Sequence, residues 1–185
     1  VVFALSATIL GWFFIFCTKS LKTVFSKSKF PIYIKTLIGG LALGTIAYFF
    51  PLTRYFGHHQ INELLLNDLT LNFLIAILFF KILAISITVT SGWRGGFIIP
   101  LFFVGATLGL IIYNLFPYVD PALAMISCMA AINACVTRTP MSTTILLATL
   151  TGFAYFIPIL FASLIGYFLA PRIPFISSQM EPKSS

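Results

Sequence analysis

Long uncharged apolar runs separated by short polar segments dominate the chain. Four of these runs meet or approach the roughly 20 residues that one helix needs to cross the hydrocarbon core of a bilayer. They are Val1–Thr18, Thr36–Thr53, Gly95–Val119 and Thr139–Pro171. The last run is long enough for two elements. The pattern therefore predicts an all-α, polytopic membrane protein.

Prolines, glycines and polar residues divide these runs into helices of uneven length. The predicted helices lie at about Val1–Lys19, Pro31–Phe50, Ile61–Leu66, Leu69–Thr90, Phe97–Phe116, Pro121–Val136, Met141–Gly152 and Ala154–Leu169. Several are too short to cross a bilayer about 30 Å thick, and such helices are tolerated only where their ends are buried in protein or line an aqueous path. We expect a transmembrane domain over residues 1–176, with about eight helices, and a polar tail over 177–185.

The third apolar run begins with a glycine turn and a proline, in the segment Ser91–Pro100 (SGWRGGFIIP). Glycines allow a tight or left-handed turn, and a proline is tolerated in the first turn of a helix because its missing N–H costs nothing there. An uncapped helix start presents unpaired backbone N–H groups and the positive end of the helix dipole. The segment therefore predicts a helix start that favours an anion.

The distribution of charged residues predicts how the chain is oriented in the membrane. Only 8% of the residues are charged and 59% are apolar, whereas a soluble domain carries about 25% charged residues. Five of the eleven basic residues fall between the first two predicted spans: Lys19, Lys22, Lys27, Lys29 and Lys35. The positive-inside rule then places the Lys19–Lys35 loop in the cytoplasm, and we expect the C-terminus there too. Anionic lipid, and not nucleic acid, is the expected partner of this charge.

The sequence contains few side chains that could carry out catalysis or bind a metal. The acidic residues are Glu63, Asp68, Asp120 and Glu181, all predicted in loops or at helix ends. The cysteines are Cys17, Cys128 and Cys135, without ligand spacing. His58 and His59 also lack further ligands at a suitable spacing. We predict that the chain is not an enzyme and holds no cofactor or metal.

Lys81 falls near the middle of the predicted Leu69–Thr90 helix. A charge at that depth is costly, so it is a functional candidate by default. The alternative is that its long side chain reaches a cluster of carbonyls or a lipid headgroup. The sequence leaves both interpretations open.

Several short motifs follow one another in a characteristic order. Ser91-Gly92-x-x-Gly95-Gly96-x-x-x-Pro100 precedes a helix with Gly105 and Gly109, then come Arg138-x-Pro140 and Pro174-Phe175. This ordered set resembles the C-terminal half of the chloride channel and proton-coupled chloride transporter family. The resemblance implies one half of an inverted-repeat fold of broken, tilted helices. It also implies two partners: the N-terminal half of the same protein, and a second copy in a homodimer.

The resemblance also implies which residues meet the anion. The anion-coordinating backbone amides of the family fall at Phe97 and Ile98, on a turn formed by Gly95, Gly96 and Pro100. The usual order there is Gly-Gly-x-Phe-x-Pro, so this chain differs by having Phe at 97 and Ile at 98. Backbone donation does not depend on that exchange.

Two further residues are candidates for lining the pore. Family members generally carry a tyrosine near the last helix whose hydroxyl donates to the anion, and Phe175 occupies the matching position without a donor. Its alternative role is packing at the membrane interface. Arg94, next to the glycine turn, either raises the local anion concentration or marks the cytoplasmic end of the preceding helix.

These observations predict selective transport of chloride or another small anion, by a channel or by a proton/chloride exchanger. The sequence does not separate the two mechanisms. A structural or assembly subunit with a degenerate ion path is the alternative. The chain also begins without Met or a basic leader, so we expect a fragment of a longer protein.

Overall fold

The protein is described here from a computed structural model. It covers residues 1–28, 31–53, 61, 64, 69–93, 95–117, 119–173 and 175. The described α-helices are α1 (Val2–Lys27), α2 (Ile32–Phe49), α3 (Leu71–Thr90), α4 (Ile98–Leu115), α5 (Pro121–Thr137), α6 (Pro140–Thr151) and α7 (Phe156–Phe168). Short 3-10 turns lie at Pro51–Thr53 and Phe153–Tyr155. The predicted helix at Ile61–Leu66, residues His58 and His59, and the tail at 177–185 lie wholly or mostly outside the described residues.

Most helix boundaries agree with the sequence pattern to within two residues, but α1 does not. It continues to Lys27, and Ser28 lies in extended conformation after it. Lys19, Lys22 and Lys27 therefore lie on the last turns of a helix, and the predicted Lys19–Lys35 loop is wrong in its extent. The physical reason is that lysine is a good helix former, so the helix has no cause to stop where the apolar run stops.

Helix lengths fall into two classes. Four helices, α1 to α4, are long and apolar enough to cross a membrane by length and composition. Helices α5, α6 and α7 are apolar but shorter, at 17, 12 and 13 residues. A helix of 12 residues spans about 18 Å at 1.5 Å per residue, well short of a bilayer core. The predicted mixture of spanning and partial helices is therefore present.

Helix α5 forms the centre of the bundle. Thirteen of its 17 residues are buried. Its neighbours approach it through glycines: a Cβ on Gly109 would lie 2.5 Å from Cα of Met125, and one on Gly105 would lie 2.6 Å from Cα of Met129. A Cβ on Gly166 of α7 would overlap the carbonyl oxygen of Ala131. Backbone thus packs on backbone along both α4 and α7, as small residues allow in membrane proteins.

Helix α2 lies at the periphery, with Gly39 as its one buried residue. Gly39 lets α2 approach the end of α3, because a Cβ there would lie 2.6 Å from the side chain of Ser91. On the same helix, a Cβ on Gly44 would meet nothing within 4 Å. Close packing through the glycines of α2 is therefore limited to its contact with Ser91 and the loop that follows.

Gly109→Ala is expected to lower the free energy of unfolding by about 3 kcal/mol, because the new methyl group would meet the backbone of α5 and neither helix can yield cheaply. Gly44→Ala is the matched control, since it makes the same change where there is open space. It should leave stability unchanged or raise it by up to about 1 kcal/mol. Thermal unfolding of the purified variants in detergent measures both, and equal melting temperatures would contradict this account of the α4–α5 contact.

Candidate anion site

The loop between α3 and α4 begins with a sharp reversal held by α2. Gly92 has φ of +93°, a left-handed value that glycine adopts at little cost. The hydroxyl of Thr36 donates to the carbonyl of Ser91 at 3.0 Å, and the indole N–H of Trp93 donates to the carbonyl of Thr36 at 3.2 Å. The start of the loop is therefore fixed to α2 by hydrogen bonds on both sides of Gly92.

The pair Gly95 and Gly96 has a different role from Gly92. A Cβ on Gly96 would meet nothing within 4 Å, and one on Gly95 would meet only Cγ2 of Thr88, at 3.9 Å. Packing does not exclude a side chain at either position. What the two glycines do is leave the space in front of α4 empty and the backbone exposed.

Helix α4 begins at Ile98 with Phe97 as its N-cap residue, and no side chain caps it. The amide of Leu101 donates to the carbonyl of Phe97 at 3.0 Å, and Pro100 has no N–H to satisfy. The amides of Phe97 and Ile98 donate to no acceptor within the described part of the chain. These are the two amides for which the sequence predicts an anion, and helix geometry leaves such groups open to an external acceptor.

A cavity of about 540 Å³ opens at this helix start, and we call it the helix-start cavity. Residues from the α3–α4 loop, from α2 and from α3 form its walls. They include Gly95, Gly96, Phe97 and Pro100, with Gly44, Ala47, Thr53, Lys81, Ala84 and Thr88. Of the predicted site residues, this cavity brings together both glycines of the turn, Phe97 and the proline.

Lys81 reaches the helix-start cavity from the middle of α3, and only 2% of its surface is exposed. Its ammonium group donates to the carbonyl of Thr53 at 2.8 Å. It also lies 4.9 Å from the centre of the Phe103 ring, a geometry in which a cation is attracted to an aromatic face. Lys81 thus reaches a backbone carbonyl, and that carbonyl belongs to Thr53 in the wall of the cavity.

Phe175 lies against the helix start. Its ring centre is 5.1 Å from that of Phe97, with the rings nearly perpendicular at 74°. It also packs at 5.4 Å against Phe14, a fully buried residue of α1. The structure therefore brings Phe175 and Phe97 into contact, whereas the sequence left Phe175 divided between the pore and the membrane interface.

Asn133 is a functional candidate that the sequence analysis missed. Its side-chain amide on α5 donates to the carbonyl of Ile98 at 3.1 Å, so it holds the first turn of α4. The residue is fully buried, and its side-chain oxygen has no hydrogen-bond partner among the described residues. The available signal was a lone asparagine inside an apolar helix, a position where polar groups are expensive.

Arg138 fixes the segment that carries Phe175. It has φ of +59°, a left-handed conformation that ends α5, and its guanidinium donates to the carbonyl of Pro171. Arg138 therefore ties the end of α5 to the segment that follows α7. Arg94, the other basic candidate, lies outside the described residues.

A family model described as "Voltage gated chloride channel" matches residues 1–171 of this chain. Two curated relatives agree with it. An uncharacterized protein of Methanocaldococcus jannaschii is 32% identical over 149 residues, which cover 80% of this chain and 38% of the relative. The "Putative ion-transport protein YfeO" of Escherichia coli is 30% identical over 132 residues, covering 69% of this chain and 31% of that protein.

Among solved structures, the crystal structure of a CLC-type fluoride/proton antiporter matches with a TM-score of 0.78. Sequence identity is 20%, and the match covers 91% of this chain and 42% of the antiporter chain. The likeness shows the fold: the chain shares the all-α membrane architecture of that structure. It spans less than half the length of each of these relatives.

Asn133→Leu is expected to change the free energy of unfolding by less than about 1 kcal/mol, because the lost hydrogen bond to Ile98 is offset by removal of an unpartnered buried oxygen. Asn133→Asp should cost about 2 kcal/mol or more, since the site must then bury a charge or take up a proton. Thermal unfolding in detergent compares the two variants. A larger loss for the leucine variant would show that the side-chain oxygen has a partner.

Proposed function

The chain belongs to the voltage-gated chloride channel family, and from that premise we propose that it forms part of a selective transport path for chloride or another small anion. In this proposal the amides of Phe97 and Ile98 are donors to the anion. Gly95 and Gly96 keep the approach to them free of side chains. Pro100 lies in the first helical turn without a donor that would compete for an acceptor.

One observation carries the proposal: an uncapped helix start opens on a cavity inside an apolar bundle. The amides of Phe97 and Ile98 have no acceptor in the described chain, and Phe97 lines the cavity of about 540 Å³ at this helix start. The first N–H groups of a helix have no intrahelical acceptor, and leaving such donors without a partner costs free energy wherever water is excluded. An anion, drawn by these donors and by the positive end of the helix dipole, removes that cost.

In this proposal Phe175 forms the second wall of the anion site. Its ring lies against Phe97, and aromatic hydrogens carry the positive edge of the ring quadrupole. A ring edge is a weaker partner for an anion than a hydroxyl group. We therefore expect the central anion to be held more weakly here than in family members with a tyrosine at this position.

The whole protein in this proposal is larger than the described bundle. Its other half supplies the remainder of the path, and two copies form a homodimer through exposed apolar residues of α6 and α7. The lysine-rich end of α1 and the C-terminus face the cytoplasm, as the positive-inside rule favours. Ile145, Phe156, Ile157 and Phe161 are among the exposed apolar residues available for such contacts.

We expect the full-length protein in liposomes to transport chloride, and an amide-to-ester exchange at Ile98 to weaken chloride binding by about tenfold or more. The ester keeps the side chain but removes the N–H donor, and a hydrogen bond to a charged ligand is worth roughly 1.5–3 kcal/mol. Electrodes for chloride and for protons, read together, measure the flux and any coupled proton movement. Calorimetric titration measures the affinity.

The same ester at Ile111, later in α4, is the matched control. It removes one helix amide and weakens one carbonyl acceptor away from the site, so the affinity for chloride should stay within about twofold of the unmodified protein. A folded protein without halide flux would favour the structural-subunit alternative. Equal losses at both positions would refute the amide site.

Phe175→Tyr is expected to tighten chloride binding by about tenfold, because it adds a hydroxyl donor next to Phe97. Phe168→Tyr serves as the control, since Phe168 is 76% exposed on α7 and should leave the affinity unchanged. Calorimetric titration with chloride distinguishes the two variants. If Phe175→Tyr gave no gain, Phe175 would be a packing residue only.

A further inference from the structure

The helix-start cavity contains two sources of positive potential on different helices. One is the N-terminal end of α4: Phe97 and Pro100 line the cavity, and the amides of Phe97 and Ile98 donate to no acceptor among the described residues. The other is the ammonium group of Lys81, which extends from the middle of α3 into the same cavity wall. Lys81 is only 2% exposed, so water screens its charge less than it would screen a charge at a protein surface.

Two positive potentials that share a low-dielectric cavity raise each other's energy. A charged residue within a membrane segment is retained mainly where it has a specific use. An anion in the cavity would interact favourably with both the helix end and the ammonium group. An anion there would therefore be attracted from two sides of the cavity.

The contacts of Lys81 keep its charge at the wall of the cavity. The carbonyl of Thr53 accepts one hydrogen bond from the ammonium group, and the Phe103 ring lies under it. Phe103 belongs to α4, three residues after Pro100. Lys81 is thereby held close to the first turns of α4, where Phe97 and Pro100 line the same cavity.

We propose that Lys81 is an affinity-determining residue of the anion site, and that its ammonium group attracts a small monovalent anion into the helix-start cavity. This inference rests on the proposed function. The ammonium group acts with the amides of Phe97 and Ile98, and its contribution is charge. A neutral side chain of similar length would keep the packing and lose the attraction.

The test compares chloride affinity in the full-length protein and in Lys81→Gln, by calorimetric titration in detergent. Glutamine retains a donor for the Thr53 carbonyl but carries no charge. We expect chloride binding to weaken by about tenfold or more in this variant, and to stay within about threefold in Lys81→Arg, which keeps the charge. Lys35→Met is the matched control: it removes a lysine charge from α2 outside the cavity lining and should leave the affinity unchanged.

A rescue experiment separates charge from packing. Thr88 lines the same cavity, so the double variant Lys81→Met with Thr88→Lys restores a cation at a second position. It should recover the affinity to within about threefold of the unmodified protein. A purely structural lysine would not be rescued in this way.

Two results would overturn the inference while leaving the proposed function intact. One is unchanged chloride affinity in folded Lys81→Gln; the other is failure of Thr88→Lys to restore the affinity of Lys81→Met. If the neutral variants do not fold, the single variant Thr88→Lys decides the question. It adds a second cation to the cavity, so it should tighten chloride binding. An unchanged affinity for chloride in this variant would contradict the inference. A folded unmodified protein that neither binds nor transports halide would instead remove the proposed function itself.

Discussion

Close contact between backbones around α5 is the constraint on which the rest of the structure depends. Lipid tails are as apolar as leucine, so burial of apolar side chains contributes little to holding these helices together, and van der Waals packing must do it. Gly105 and Gly109 let α4 touch α5, and Gly166 does the same for α7. A methyl group at any of these positions would overlap backbone atoms. The positions of α4 and α7 are therefore fixed relative to α5 within narrow limits.

The candidate site follows from that packing. Because α4 lies directly on α5, Asn133 reaches the carbonyl of Ile98 and holds the first helical turn. Helix α5 ends at Arg138 in a left-handed conformation, and the guanidinium of Arg138 donates to the carbonyl of Pro171. This contact holds the segment that carries Phe175, and the ring of Phe175 packs against Phe97. The helix start is thus supported from two sides by one helix. The cavity in front of it stays open because Gly95 and Gly96 contribute no side chains.

Two sequence-based expectations differed from the structure, and the physical reasons are different. The left-handed turn of the α3–α4 loop falls at Gly92, where α2 supplies hydrogen bonds through Thr36, whereas Gly95 and Gly96 serve to leave space. Helix α1 continues through Lys27, since nothing in its composition ends it at the membrane boundary. Neither outcome is encoded in the order of apolar and polar residues alone. The turn at Gly92 depends on the neighbouring helix α2, and the extension of α1 depends on the helix propensity of lysine.

The sequence by itself determined the all-α membrane class, the approximate limits of most helices, the family and the helix start at the glycine turn. Apolar run length, proline, and glycine act locally, so a linear pattern records them. Only the tertiary structure decided that Lys81 shares a cavity with that helix start, that Asn133 holds it and that Phe175 touches Phe97. These contacts join residues far apart in the chain through helix packing, and packing geometry leaves no periodic signal in the sequence.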